Sequence, residues 1–176
     1  MPSQDYPSHI KWQGSSWRLR VVEIKLSDGT ILEKGVIDHP GSVLIVPMMG
    51  KQVLMLRQYR LPLERWILEL PAGTREKGED RFTCARRELR EETGYQAESW
   101  RSLGEVWPAP GLTNEIMAVY LATDLTEAPL QRDSDEDIEV RPYPIDELVA
   151  MALDGRLQDA KSVVGIMRAA KIMDYY

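Results

Sequence analysis

The chain has few of the residues on which disulfide, zinc or histidine chemistry depends. Among 176 residues there is one cysteine, Cys84, and there are two histidines, His9 and His39. One cysteine excludes an intrachain disulfide and a zinc site made of cysteines, and two histidines exclude a histidine-rich metal centre. Any bound metal must therefore be held by carboxylates, which favours a hard cation such as magnesium or manganese.

Positive charge and long apolar runs are also scarce. Lysine and arginine number 22 against 28 aspartates and glutamates, so the net charge is -6. This balance disfavours a general nucleic-acid binder, although one phosphate site in an enzyme needs only a few local cations. The longest apolar runs, such as residues 43–46, are too short to span a bilayer, and the N-terminus lacks the apolar stretch of a signal peptide. We therefore expect a cytoplasmic protein with no nucleic-acid or membrane partner.

The composition is that of a soluble globular protein, because 43% of the residues are hydrophobic and 28% are charged. Alternating or wholly apolar segments rich in β-branched residues predict strands. These segments are residues 17–26, 30–38, 42–49, 52–60, 66–70, 97–107, 114–123 and 138–143. Disorder is expected at most in about the first dozen residues, which are polar and contain Pro2 and Pro7.

Three segments predict helices: about residues 79–93, 145–153 and 159–173. In the first, Phe82, Ala85 and Leu89 fall on one stripe, and Gly94 stands where a C-terminal cap belongs. The order of elements predicts a mixed α/β (α+β) domain, with one helix among the strands and two near the end. We expect residues 41–176 to form this domain and residues 1–40 to form an N-terminal β-hairpin appendage.

The first predicted helix carries three glutamates at spacings of three and four residues, which places them on one face: Glu88, Glu91 and Glu92. Like charges at these spacings destabilise a helix by roughly 0.2–0.5 kcal/mol per pair. Divalent cations would offset this cost, because hard metals prefer several oxygen ligands and negative charge. The alternative is a solvated helix face in which Arg86, Arg87 and Arg90 are ion-pair partners.

The spacing of residues 73–95, GTREKGEDRFTCARRELREETGY, decides between these interpretations. It matches the Nudix box, G-x5-E-x7-R-E-U-x-E-E-x-G-U with U apolar or aromatic, at every fixed position. Those positions are Gly73, Glu79, Arg87, Glu88, Leu89, Glu91, Glu92, Gly94 and Tyr95. The chain therefore resembles the Nudix hydrolases. The box spans about an eighth of the chain, and the predicted elements around it resemble the Nudix α/β/α sandwich with its mixed sheet.

The resemblance implies roles for the residues of the box. The glutamate trio resembles the family's metal-ligand cluster, with Glu88 and Glu92 foremost as direct ligands and the Ala72 carbonyl as a further one. It implies two or three magnesium ions per site, with manganese as an alternative. Glu79 and Arg87 resemble the pair that braces the loop against the helix, and we count Arg87 and Glu91 among the catalytic residues.

Residues on either side of the Nudix box indicate which substrate the enzyme cleaves. Pro110, sixteen residues after Gly94, the run 69–73 (ELPAG) and the run 57–60 (RQYR) all resemble the ADP-ribose pyrophosphatases. Arg57 and Arg60 could grip a diphosphate or position a glutamate, and Glu69 could contact the nucleoside or pair with an arginine. The alternatives are an ordinary loop proline and exposed strand arginines. We expect hydrolysis of ADP-ribose to AMP and ribose 5-phosphate.

Other nucleotide substrates and a non-catalytic role stay open. GDP-mannose, FAD or a dinucleoside polyphosphate would suit the same box, and a degenerate Nudix domain could sense a nucleotide sugar, although the intact glutamates oppose this. No Ser-His-Asp or Cys-His arrangement is apparent, and Cys84 is expected to be a small buried side chain within the helix.

The general base and the quaternary structure follow from the resemblance alone. Residues 132–140 (RDSDEDIEV) resemble the mobile loop that supplies a glutamate base, and Glu136 is our choice, with Asp135, Asp137 and Glu139 as rivals. A plain solvated acidic loop is the alternative. The N-terminal region resembles one that is exchanged in homodimers, where Trp12 and Trp17 could stack on adenine or could simply be core or interface aromatics.

Overall fold

The structure, a computed structural model, describes residues 6–131 and 137–175. Its strands are β1 (Ser8–Gln13), β2 (Arg18–Lys25), β3 (Ile31–Asp38), β4 (Ser42–Met49), β5 (Gln52–Arg60), β6 (Arg65–Glu69), β7 (Ala72–Thr74), β8 (Tyr95–Val106), β9 (Met117–Glu127) and β10 (Ile138–Pro144). Its α-helices are α1 (Arg81–Glu88), α2 (Ile145–Asp154) and α3 (Ala160–Ile172), and α1 continues as a π-helical turn over Leu89–Thr93. No helix of these described ranges combines the length and the apolar character needed to cross a membrane.

A seven-stranded sheet forms the centre of the protein. Its main path runs β10-β5-β4-β9-β8, while β6 pairs with β5 and β7 pairs with β4. The β4–β9 pair is parallel and the other pairs are antiparallel, so the sheet is mixed, as predicted. Strand β4 is the hub, because it pairs with β5, β7 and β9.

The apolar run of β4 is buried on both faces, as a central strand requires. Side chains alternate along the strand: Leu44 and Val46 face the core shared with α2 and α3, whereas Val43 and Ile45 face the core shared with α1. Helices thus cover both faces of the sheet. The predicted α/β/α sandwich is confirmed.

The start of β4 is tied by polar contacts. The Ser42 side chain, 4% exposed, donates to Glu115 over 2.5 Å. The Ser42 amide donates to the Ile116 carbonyl over 3.1 Å, just before β9 begins. These bonds hold the first residue of the hub strand beside its parallel partner.

Strands β1, β2 and β3 form a separate antiparallel sheet. Within its described residues only Val22 is buried. Two backbone hydrogen bonds join β3 to the loop before β9, from the Ile37 amide to the Leu112 carbonyl and from the Asn114 amide to the Ile37 carbonyl. The predicted hairpin is confirmed as β2 and β3, and a third strand is added to it.

The stretch to which the sequence confined any disorder is a β-strand from Ser8 onward. Residues 8–13 form β1 because β2 offers its edge, with Ser8 opposite Val22 and Gln13 opposite Arg18. The pattern of β1 gave no signal, since all six of its residues are exposed. Strand β7 was also not predicted, because it forms by pairing with β4, about thirty residues earlier in the chain. The prediction of one helix over residues 79–93 did not include the change to a π-helical turn at Leu89.

A pair of leucines in α2 tests which face of that helix contributes to stability. Leu148 is fully buried and Leu153 is 63% exposed. We expect Leu148→Ala to lower the free energy of unfolding by about 2–5 kcal/mol, through lost burial and a cavity. The control Leu153→Ala should change it by no more than about 0.5 kcal/mol. Urea denaturation followed by circular dichroism measures both, and equal effects would contradict the assigned core.

Candidate active site

The helix that carries the glutamates begins at a strong cap. The Asp80 carboxylate accepts hydrogen bonds from the amides of Phe82 (2.9 Å) and Thr83 (3.0 Å), which satisfies two free donors of the first turn. After α1 the chain widens into the π-helical turn, and Gly94 ends it with a φ of 81°. Such wide turns often occur at functional sites. Here the turn contains Glu91 and Glu92.

Arg87 connects the glutamates of the box. Its Nε and Nη2 donate to the two oxygens of Glu79 over 2.9 and 3.0 Å. Its Nη1 donates to Glu88 over 2.7 Å and to Glu91 over 2.8 Å. These hydrogen bonds, first of all those with Glu79, raise the pKa of Arg87 and lower the pKa of Glu79. The arginine is therefore a fixed positive charge among three carboxylates.

The loop before the helix fits closely around two of the glutamates. The Ala72 amide donates to Glu92 over 2.9 Å, and Glu92 is only 1% exposed. A Cβ atom placed on Gly73 would lie 1.8 Å from the carboxyl carbon of Glu88. Only glycine leaves room for that carboxylate, so the first residue of the box has a steric role rather than a purely conformational one.

The carboxylates of Glu88, Glu91 and Glu92 are the oxygen donors that a metal ion could use. In residues 6–131 and 137–175, no three histidine, cysteine, aspartate or glutamate side chains are grouped so that they could hold an ion as they stand. Arg87 accounts for this, because it binds oxygens of Glu88 and Glu91. The chemistry of the set nevertheless fits a hard divalent cation, since three carboxylates on one helical turn offer only oxygen donors and excess negative charge.

A cavity of about 300 Å³ lies against these residues. Its lining includes, in one place, the predicted residues Arg60, Ala72, Arg87, Glu88 and Glu91. Ser16, from the turn between β1 and β2, also lines it. Ser16 could not be predicted as a site residue, because only the attachment of the N-terminal sheet brings it there.

Arg60 enters the cavity from β5 and is held by a buried carboxylate. Its Nε and Nη2 donate to Glu69 over 2.7 and 2.9 Å, and Glu69 is fully buried. Burial lowers the pKa of Arg60, but the hydrogen bonds that it donates to Glu69 and the charges of Glu69 and Glu92 outweigh burial and raise the pKa above its usual value. Glu69 therefore pairs with an arginine, which was one of the two roles considered for it.

Lys161, at the start of α3, joins the same group. It donates to Glu69 and, over 2.8 Å, to Asp159, the residue that caps α3. Neither Lys161 nor Asp159 was predicted from the sequence. They lie about ninety residues from Glu69 in the chain, and no local pattern marks them.

Other predicted residues lie away from this cavity. Arg57 stacks over the ring of Trp66, at 4.6 Å from its centroid, and pairs with Glu139 over 3.2 Å. Pro110 is exposed in the loop that contacts β3. The structure brings neither side chain together with the glutamates of the box.

The proposed general base, Glu136, and its rival Asp135 lie outside the described residues. Asp137 is exposed. Glu139 accepts hydrogen bonds from Arg141 and Arg57, which lower its pKa and make it a weaker proton acceptor.

Cys84 is fully buried, as predicted. Burial raises the pKa of its thiol, and the charges of Glu88 and Glu79 raise it further, so the thiolate of a nucleophile is disfavoured.

Comparison with known proteins identifies the family of the chain. The chain matches the family model of the NUDIX domain over residues 38–164. It is 34% identical over 158 residues to the methanol dehydrogenase activator of Bacillus methanolicus, covering 88% of this chain and 85% of the relative. It is 34% identical over 151 residues to the ADP-ribose pyrophosphatase of Bacillus subtilis, covering 84% and 82%.

The fold is also shared with a solved structure. The crystal structure of an ADP compounds hydrolase superposes with a TM-score of 0.81 over 96% of this chain and 92% of that chain, at 21% identity. The chain belongs to the Nudix family. It is a Nudix hydrolase, and the prediction that it is an enzyme of the pyrophosphatase type is confirmed.

The fit between Gly73 and Glu88 can be tested with one methyl group. Gly73→Ala should displace the Glu88 carboxylate and lower turnover strongly, while the overpacking costs about 1–3 kcal/mol of stability at most. Gly35→Ala is the matched control, because a Cβ there meets only Leu19, at 3.5 Å. Turnover and thermal unfolding are measured together. Full activity in a folded Gly73→Ala protein would show that the close packing has no catalytic importance.

Proposed function

We propose that this enzyme hydrolyses the pyrophosphate linkage of a nucleoside diphosphate sugar, and that ADP-ribose, cleaved to AMP and ribose 5-phosphate, is its substrate. One observation carries the proposal: Arg60 and the glutamates Glu88 and Glu91 line a single cavity. A diphosphate needs both a planar cation to bind its oxygens and carboxylates to hold metal ions. The relative from Bacillus subtilis supports ADP-ribose as the choice.

Within this proposal the box would hold the cations. Glu88, Glu91, Glu92 and the Ala72 carbonyl are the residues that would bind two or three magnesium ions, with manganese as a substitute. When bound, these ions would supply positive charge that offsets the phosphate oxygens and would acidify a neighbouring water. Arg87 holds Glu88 and Glu91 in place through its brace to Glu79.

The chain's own groups would complete the reaction. Arg60 binds diphosphate oxygens, and a carboxylate of the acidic loop, for which Glu136 is our choice, accepts the proton of the attacking water. The water oxygen forms a bond to one phosphorus as the bridging P–O bond breaks. The bridging oxygen leaves with the other phosphate.

A second cavity favours a substrate with a nucleoside part. It measures about 600 Å³, and its lining includes Trp17, Arg18, Asp38 and His39. Ser16 lines both this cavity and the catalytic one, so the two are neighbours. The rings of Trp12 and Trp17 contact each other in a tilted arrangement, with centroids 4.4 Å apart, and could bind a nucleobase. Pro110, in the adjoining loop, and Arg57 stay proposed substrate contacts.

A substrate screen tests the proposed reaction. ADP-ribose, GDP-mannose, FAD and a dinucleoside polyphosphate are incubated with the enzyme, with and without magnesium or manganese, and the products are separated by chromatography. We expect metal-dependent release of AMP from ADP-ribose to have the highest kcat/KM. Faster cleavage of another compound would replace the substrate, and AMP release in the presence of a chelator would remove the metal requirement.

Glu92 provides a direct test of the metal ligands. We expect Glu92→Gln to lower turnover by more than about 100-fold, since losing even an outer partner of a metal ligand costs about 10–100-fold. The fold should persist, because glutamine keeps the size of the side chain and can still accept from the Ala72 amide. Glu98→Gln, an exposed change on β8, is the control. Wild-type turnover in Glu92→Gln would remove Glu92 from the site.

We also propose that the protein is a homodimer assembled through its N-terminal region, residues 1–40, whose described part forms the three-stranded sheet, with residues 41–176 as the catalytic domain. Apolar side chains of that sheet are exposed: Ile10 by 52%, Trp12 by 48% and Ile31 by 61%. These side chains lie on β1 and β3, at the two edges of the sheet, and a second chain packed against the sheet would remove them from water. We further propose a cytoplasmic location, which cell fractionation would test.

Sedimentation measures the proposed assembly. We expect the wild type to sediment as two 20.1 kDa chains, and the double variant Ile10→Ser, Ile31→Ser to sediment as one, because the sheet loses two exposed apolar side chains. Leu153→Ser, which changes an exposed side chain of α2, should stay dimeric. A monomeric wild type at micromolar concentration would contradict the proposal.

A further inference from the structure

We infer that Lys161 is a positioning residue for substrate binding: it shares the carboxylate of Glu69 with Arg60, and so leaves Arg60 able to bind the diphosphate. This inference rests on the proposed function, because it assigns the diphosphate to Arg60. It adds a residue from α3, outside the Nudix box, to the machinery of the site.

The contacts define a small buried network. Glu69, at 0% exposure, accepts from Arg60 on both oxygens and from Lys161 on Oε2. Lys161 has only 16% of its side chain exposed and also donates to Asp159 over 2.8 Å. A fully buried carboxylate needs its lone pairs satisfied, and two cations achieve this here.

The balance of charge around Arg60 depends on Lys161. Three carboxylates act on the Arg60 guanidinium, those of Glu69, Glu92 and Asp159. Without the lysine, Arg60 would be the cation that balances the charges of both Glu69 and Asp159. Its guanidinium would then be drawn toward these carboxylates and away from the cavity. With the lysine present, Glu69 and Asp159 have a second cationic partner, and the guanidinium can face the cavity.

The start of α3 is fixed by an independent tie. The Ser162 side chain accepts from the Leu70 amide over 2.7 Å, and Leu70 directly follows Glu69. The Ser162 amide donates to the Asp159 carboxylate over 3.1 Å, which caps the helix. Lys161 stands between these two residues. Its ammonium group is therefore held beside Glu69 by the backbone as well as by its own hydrogen bonds.

The catalytic readout separates binding from turnover. Lys161→Met keeps the aliphatic stem and removes the charge. With ADP-ribose and magnesium, we expect KM to rise by about fivefold to tenfold and kcat to change by less than about twofold, because the displaced Arg60 weakens substrate binding while the residues of the Nudix box are unchanged. Lys161→Arg should restore KM. Lys171→Met is the control: it removes an exposed lysine of the same helix, about 15 Å further along its axis, and should leave both constants unchanged.

A double variant shows whether the effect passes through Arg60. In an Arg60→Met background, Lys161→Met should cause no further rise in KM, because the residue it positions is gone. An equal rise in that background would overturn the inference. So would an unchanged KM in folded Lys161→Met.

A spectroscopic readout keeps this inference distinct from the proposed substrate. The Arg60 Nε–H signal in a ¹H–¹⁵N spectrum of the whole protein reports its bond to Glu69. We expect the signal to shift in Lys161→Met, to return in Lys161→Arg and to stay in Lys171→Met. If the wild type fails to cleave ADP-ribose, the proposed substrate is wrong and this signal still decides the role of Lys161. An unmoved signal in Lys161→Met overturns that role.

Discussion

The arrangement of the glutamates in the Nudix box depends on the hydrogen bonds that the guanidinium of Arg87 donates. It reaches Glu79 in the loop before α1, and Glu88 and Glu91 in the helix and the turn that follows. Without this one cation, neighbouring carboxylates on adjacent turns would repel each other and separate. The arginine thus stabilises a cluster of carboxylates in a protein that already has a net charge of -6.

The same arginine occupies carboxylate oxygens that would bind metal ions. Its Nη1 hydrogen bonds occupy oxygens of Glu88 and Glu91, while Glu92 faces the Ala72 amide. Cations that bind the trio would therefore exchange these hydrogen bonds for ion–oxygen contacts. The brace to Glu79 does not involve the trio, so Arg87 has an anchor that such an exchange leaves intact.

The features that could be predicted from the sequence depend on short segments of the chain. The spacing of the box fixed the glutamates because helical periodicity is a property of a short segment, and the apolar run of β4 predicted a strand buried on both faces. Arg57 and Arg60 show the limit. The run RQYR favoured both, yet β5 places Arg60 in the cavity and Arg57 over Trp66. Lys161 and Ser16 could not be predicted, because each reaches the site through distant contacts.

The double burial of β4 has a consequence for how its position is specified. In most sheets a slip of one residue is prevented because it would expose apolar side chains. In β4 apolar residues point both ways, so hydrophobicity alone would tolerate the shifted pairing. The polar ties of Ser42 to Glu115 and Ile116 are what distinguish the two alignments. The Ser42 hydroxyl, at the start of the central strand, therefore helps to fix where Ala72, paired with Leu44, meets the π-helical turn.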